Sequence, residues 1–328
     1  MTGDKLSAAL LVALLVGATA ALVDLRATQR ESLVVYTTPA LKEVLENDVI
    51  PRFTSRTGID VIPMYIPAGQ QYNRLRIGSR TPEADVFLHA SPMYLEKGYA
   101  EGRFEPYELP RGLNLTPEYM SRPVEGGRIW HAFAWTPLVT VYNPRFEEAP
   151  DYATTTAKLG LAHPLLSNNG IYAVVLFEKV SREAGQNALA HAASQPTNAR
   201  ATVNGVADGS YDAALGYEAA TRFYQEQGAS VRDAIPTING TQYVVPVLFS
   251  AGIVKDHRNP HAKAFIDFLF DSTTQFRLNQ FDLRPVLPDY PTASDALPVT
   301  GNGIRQVPVD WSRWREFEAA LPRYEVKA

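Results

Sequence analysis

Two stretches of the chain share one grammar: an apolar strand, a hydroxyl residue, a proline, then a helical pattern. They are VVYTTPALKEVL (Val34–Leu45) and DVFLHASPMYLEKG (Asp85–Gly98). Thr38 and Ser91 are helix N-capping residue types, and Pro39 and Pro92 stand at the first helical position, where a missing N–H removes no bond. Around them strand and helix signals alternate: strand 33–36, helix from about Pro39 to Thr57, strand ending near Pro67, helix from about Gln70, strand 84–89, helix 92–98. Gly58 reads as the C-cap of the first helix and Pro82 as the stop of the second. Alternation with short links predicts an α/β lobe whose mostly parallel sheet is covered by helices.

Further on, HAFAWTPLVTVYNP (His131–Pro144) is a long extended run with Pro137 in its middle. A proline there does not fit the centre of one sheet, so the strand is expected to leave one lobe and enter another. The second lobe follows: a strand near LGLAHP, the loop LLSNNG, a helix from about Ile171 to Ala193, another around Ala199 to Asp208, the strand DAALGY and a helix to Gln227. TQYVVPVLFSAGIVK reads as a second long crossing, and the next helix places Ala264, Phe265, Phe268 and Leu269 on one face. The expected division is 32–136 with about 253–328 in the first lobe and 137–252 in the second, with a hinged cleft between them.

A chain of 328 residues has material for two cores. Its net charge of −4, with scattered Lys and Arg, lacks the basic stripe that nucleic acid requires. The absence of cysteine excludes disulfides, thiolate metal sites and a lipid-modified cysteine. Residues 1–31 hold an apolar run from Ala8 to about Val23 with Ala18-Thr19-Ala20 inside it, the composition of a signal peptide or an uncleaved N-terminal anchor. An exported, cysteine-free, weakly acidic chain suits the periplasm.

In a parallel α/β sheet the two proline junctions fall at the carboxyl ends of their strands, where such sheets bind ligands. Free N–H groups at the helix starts favour an anion by about 0.3–1 kcal/mol per helix, and Tyr36, Thr37 and Thr38 add hydroxyls; the same residues also fit a plain role as helix caps. The chain resembles the periplasmic solute-binding proteins of ABC importers, in the group that binds ferric iron, thiamine, molybdate and 2-aminoethylphosphonate. Four blocks carry the resemblance, in order and spacing over about Leu33 to Asp289: LVVYTTPALKEVLENDVIPRFTSRTGIDV, TPEADVFLHASPMYLEKGYAEGRFEPY, NGVADGSYDAALGYEAA and AGIVKDHRNPHAKAFIDFLFDSTTQFRLNQFDLRPVLPD.

The resemblance implies a two-lobed type II periplasmic binding protein fold, two lobes joined by two crossing strands. It implies a monomer that closes on a small molecule or ion and delivers it to an inner-membrane permease with its ATPase; no cofactor is expected. Carried over block by block, the ligand-binding loops are Tyr36, Thr37 and Thr38; Ala68, Gly69 and Gln70; Ala90 and Ser91; Ser167, Asn168 and Asn169; and Tyr217 with Glu218. Trp135 and Thr136 join them at the crossing. Each has a structural alternative: Trp135 as core, Asn168 and Asn169 as turn formers before Gly170, Gln70 as a cap.

The iron-binding branch typically shows two adjacent tyrosines where this chain has Tyr217-Glu218, and a histidine where it has Thr38-Pro39, which argues against a phenolate ferric site. Hydroxyls, amides and helix N-termini fit an oxyanion or a phosphonate-like zwitterion better, with Glu218 receiving an amine and Arg284 either supplying a cation or fixing the C-terminal segment. A ferric iron-binding protein of the same family, with Tyr217 and Glu218 holding the metal through oxygen donors, is the second reading. A secreted hydrolase and a solute sensor are the further competing readings. No G-x-S-x-G, H-E-x-x-H or Walker loop is present, Pro260 breaks the His257/His261 spacing, His89 lies beside the expected cleft, and Asp85 reads as a structural turn residue.

Overall fold

The computed structural model describes residues 32–77 and 83–326. The leader read over 1–31 and the Pro82 stop both lie outside them. β1 (Ser32–Thr37) pairs in parallel with β2 (Asp60–Tyr65) on one side and β3 (Val86–His89) on the other. The run between β1 and β2 is a 3-10 turn (Pro39–Leu41), an α turn (Lys42–Val44), a π turn (Leu45–Val49) and helix α1 (Ile50–Thr57), where one continuous helix was expected. Pro51 explains the break: it has no N–H for the i−4 carbonyl and its ring crowds that turn, which widens to accommodate it. Gly58, at φ +76°, closes α1 as read. Helices α2 (Ala68–Ile77) and α3 (Pro92–Ala100) follow β2 and β3.

The long run becomes β4 (His131–Tyr142). After it come β5 (Leu159–Gly160), α4 (Asn168–Val180), α5 (Arg182–Ala190), β6 (Ala192–Ser194), α6 (Ala199–Ala207), β7 (Ala213–Tyr217), α7 (Glu218–Glu226), β8 (Arg232–Ala234) and β9 (Pro246–Val254). The helix expected over 171–193 is split at Ser181, whose hydroxyl accepts from Ala184 N–H (3.2 Å) and so starts a second helix. The second expected crossing is interrupted at Val245: Thr241–Val244 joins a small separate sheet with Thr237–Ile238 and Ile304–Gln306, while β9 pairs only with β3, the short strand Phe104–Glu105 and the first half of β4. The chain ends with α8 (Ala262–Leu269), α9 (Ser272–Arg277), β10 (Arg284–Pro285) and α10 (Trp314–Ala320). On α8, Phe265, Phe268 and Leu269 are buried with Ile266, whereas Ala264 faces solvent, correcting the expected face by one position.

Among the described residues one 11-stranded sheet runs β2-β1-β3-β9-β4-β7-β5-β6, with further short strands on its side. Its outer trios, β2-β1-β3 and β7-β5-β6, are parallel; β9 and β4 between them are antiparallel to their neighbours. β4 pairs with β9 through Pro137 and with β7 from Leu138 onward, so it changes partners at the proline. Pro137 faces Pro246 of β9 across the ladder. The neighbouring bond, Leu138 N–H to Val245 C=O (3.0 Å), makes Pro137 and Pro246 a non-hydrogen-bonded pair, so the ladder between these two strands needs an N–H from neither and accommodates both prolines. Helices cover both trios, and the C-terminal residues lie across them: Trp311 meets Tyr172 of α4 edge-on (5.5 Å), Lys97 of α3 pairs with Glu318, and Tyr324 stacks on Phe177 (6.0 Å).

Candidate ligand-binding cleft

The carboxyl ends of β1, β3 and β7 and the N-termini of α2, α3, α4 and α7 bring the sequence-read loops to one level of the sheet, on either side of the crossing. The β1–β3 side and the β7 side touch there. A Cβ added to Gly69, in the first turn of α2, would lie 2.4 Å from the carbonyl oxygen of Leu165, two residues before α4's N-cap Ser167. Only glycine lets that carbonyl approach so closely.

On the β1–β3 side the loops are tied to one another. His89 is fully buried. Its Nδ1 accepts from Ser91 N–H (2.9 Å), which leaves the proton on Nε2, facing the Ala68 carbonyl at 3.4 Å. One neutral imidazole therefore joins the start of α3 to the start of α2. Burial, opposed weakly by those backbone bonds, pushes its pKa down to about 4. Ser91 Oγ caps α3 by accepting from Met93 N–H (3.4 Å). Gln71 Nε2 donates to Leu88 C=O of β3 (3.0 Å). Thr38 has the extended backbone of an N-cap but makes no side-chain cap bond; its carbonyl accepts from Leu41 N–H (3.0 Å) to open the 3-10 turn. Tyr36 is buried with its hydroxyl on Glu83 and Arg74 over its ring (5.6 Å); burial, reinforced by Glu83, pushes its phenol up to about 12. Ala90 is buried, and Gln70 is exposed. The buried amide is that of Gln71, because α2 starts two residues earlier than the pattern suggested and every later side chain turns with it.

On the β7 side Ser167 is the N-cap of α4 but makes no side-chain cap bond. Asn169 reaches Leu215 C=O (3.4 Å) and Thr202 Oγ1 (3.5 Å). Thr136 Oγ1, at the crossing, accepts from Ala219 N–H of α7 (3.2 Å). Trp135 is half-buried between Tyr119 (6.4 Å) and the Arg284 guanidinium (5.0 Å). Tyr217 is buried at the end of β7, edge-on to Phe249 (6.5 Å), and burial raises its phenol well above the usual range.

Among the described residues, the buried polar atoms without a hydrogen-bond partner include four at these ends: Thr37 Oγ1 and Gln71 Oε1 on one side, Asn168 Oδ1 and Tyr217 OH on the other. Glu218 differs from its sequence reading, in which it was open to an amine or a metal. Both its oxygens are engaged, Oε2 by Arg284 (3.1 and 2.7 Å) and Oε1 by Leu297 N–H (2.6 Å). Arg284, read as a surface salt bridge or a cleft cation, is buried in that pair. Among the described residues no group of three or more His, Asp or Glu is placed to hold a metal ion. His257 contacts Glu105 (3.5 Å) in the turn before α8, and His261 is that helix's N-cap residue, so the pair shares no helix face. Asp85 has the structural role read for it: its carboxylate accepts from Val34, Arg258 and Asn259 N–H groups (2.8, 3.0 and 3.0 Å).

The model of the bacterial extracellular solute-binding protein family matches residues 33–281. A search of curated proteins finds no match by sequence. Among solved structures, the periplasmic binding protein AfuA of Actinobacillus pleuropneumoniae, with fructose-6-phosphate bound, superposes with a TM-score of 0.77 at 15% identity, over 90% of this chain and 98% of its own. Iron-bound HitA of Pseudomonas aeruginosa gives 0.71 at 19%, over 90% and 99%. The substrate-binding protein of an ABC transporter from Agrobacterium tumefaciens gives 0.73 at 16%, over 90% and 94%. Identities this low establish a shared fold, the two-lobed type II periplasmic binding fold; the bound species belong to those proteins.

Proposed function

The chain belongs to the bacterial extracellular solute-binding protein family, and from that premise we propose that it is the periplasmic substrate-binding component of an ABC-type importer. It captures a small solute between its two lobes, 32–136 with about 253–328 and 137–252, and hands it to an inner-membrane permease. The observation that carries this reading is the set of four unpartnered buried polar atoms, two from each side of the crossing. A buried polar atom without a partner costs roughly 1–3 kcal/mol. A solute bonded to both sides relieves that cost only in the closed arrangement, which is how a ligand shifts a two-state equilibrium.

The helix N-termini around these atoms favour an anionic group. Asn168 Oδ1 and Gln71 Oε1 are carbonyl oxygens and require donors, so the ligand class that fits is a small oxyanion, phosphonate or phosphoester that also carries hydroxyl or amine hydrogens. With Glu218 engaged by Arg284, an amine is received by those carbonyls and not by the carboxylate.

The test is a thermal-shift screen of the full chain, unfolded and refolded to remove carried-over solute, against phosphate, sugar phosphates, phosphonates, sulfate, molybdate, thiamine, polyamines, sugars and ferric iron. A ligand at 100 times its dissociation constant adds about 2.7 kcal/mol. A shift confined to phosphorylated or phosphonate compounds supports the reading, and a shift with ferric iron alone refutes the anion assignment.

A further inference from the structure

Glu218 opens α7 on the β7 side of the crossing, while Arg284 lies in β10, which pairs with Ala134 and Trp135 of β4 on the other side. Their ion pair therefore joins the two sides, and it does so away from water: the side chains are 2% and 3% exposed. The fork donates from Nε and Nη2 to Oε2 of Glu218, and Nη2 also donates to Leu297 C=O (2.8 Å). The guanidinium rests on the Trp135 ring. Arg222, one turn along α7, faces Glu218 Oε1 (3.4 Å), Asp282 (3.7 Å) and Asp295 (2.8 Å) as a more exposed second layer.

A buried ion pair adds little net stability, because desolvation offsets most of the attraction, and its firm effect is on geometry. A planar fork holding one carboxylate oxygen and one carbonyl tolerates little change of angle or offset. Rotation of one side against the other at Thr136–Pro137 moves Glu218 relative to Arg284 and strands both charges. We propose that Arg284 and Glu218 form an interlobe latch that selects the closed arrangement and holds the first turn of α7, with Tyr217 just before it, against the crossing. Both are positioning residues and neither contacts the solute. The link to solute affinity rests on the cleft reading above; the latch itself is tested without a ligand.

The experiment is small-angle scattering and amide exchange on the ligand-free full chain as wild type, Glu218→Gln, Arg284→Met and the double variant. Each single variant is expected to show a larger radius of gyration and faster exchange in 218–222 and at Leu297, with exchange in β1 and α4 unchanged. The double variant, with neither charge buried, is expected to regain the wild-type melting temperature and keep the larger radius. Wild-type radii in both single variants, or exchange rising equally in β1 and α4, overturn the latch. So does a double variant with the wild-type radius, because then the stranded charge and not the lost fork parted the lobes. A failed solute screen leaves this result standing, and unchanged radii leave the cleft reading standing.

Discussion

On the β1–β3 side of the cleft His89 ties α2 to α3, Gln71 ties α2 to β3, and Ser91 caps its own helix. On the β7 side the corresponding groups are held loosely: Ser167 makes no side-chain cap bond, Asn169 bonds at 3.4 and 3.5 Å, and the Tyr217 hydroxyl and Asn168 carbonyl oxygen bond nothing. Both walls keep unpartnered polar atoms, but the first is assembled by side-chain ties between its own elements and the second much less so. The difference teaches that substitutions at the tied groups of the first wall, His89 and Ser91, act mainly on folding, and those at the untied groups of the second mainly on binding.

The largest expected effect breaks the first wall with acid. His89 is held neutral with a pKa of about 4, below the unfolded value near 6.5. The unfolded chain thus binds the extra proton between those values, and the stability is present above about pH 6.5 and lost as pH falls towards 4, to the extent of about 3 kcal/mol. His131, lowered to about 3 by burial and then by Arg128 and Lys263, acts in the same sense. Asp282, raised to about 6 by burial, opposes them, since its strain is relieved on protonation. Melting temperature against pH should therefore fall through this window, and His89→Gln should flatten the fall; an unchanged slope would remove His89 from the account.

Next in size, Gly69→Ala sets a Cβ against the Leu165 carbonyl, and overpacking of this kind costs about 1–3 kcal/mol. Solute affinity should drop by more than melting temperature, because separating the walls relieves the clash. Ser91→Ala removes a cap, at about 0.5–2 kcal/mol of stability, and should leave affinity nearly unchanged once folded. Tyr217→Phe has the smallest effect on folding and the sharpest meaning. Deleting an unpartnered buried hydroxyl should leave the ligand-free melt equal or higher by up to about 1 kcal/mol, while the solute found by the screen binds roughly tenfold more weakly. A lower melt with unchanged affinity would move Tyr217 from the second wall into the ordinary core.

Local chemistry made much of the fold legible. Gly58, Pro39, Pro92 and the mid-strand Pro137 act within a few residues of themselves, and each did what its backbone demands. The breaks at Ser181 and Val245 were less visible, since a capping serine inside an apolar helical pattern is offset by the residues around it. In the site, the loops could be assigned but not the state of their side chains. Gln70 and Gln71 exchanged places because the start of α2 fixes the facing of everything after it. Glu218 looked available because its partner is Arg284, 66 residues away, and no local pattern reports such a distance.

Pro137 and Pro246 stand opposite one another at the crossing. With both rings fixing φ at a pair whose N–H groups point away from each other, that level of the ribbon has lost most of its torsional choices without losing a rung. In the proposed opening and closing it is a scored line in a sheet of card, marked by fixed backbone angles and not by a missing bond. A solute-binding protein that opens and closes many times gains repeatability from such a line, since each return passes through the same narrow set of backbone angles. Replacing either proline with a residue of free φ would leave the bonds between the two strands as they are and widen the set.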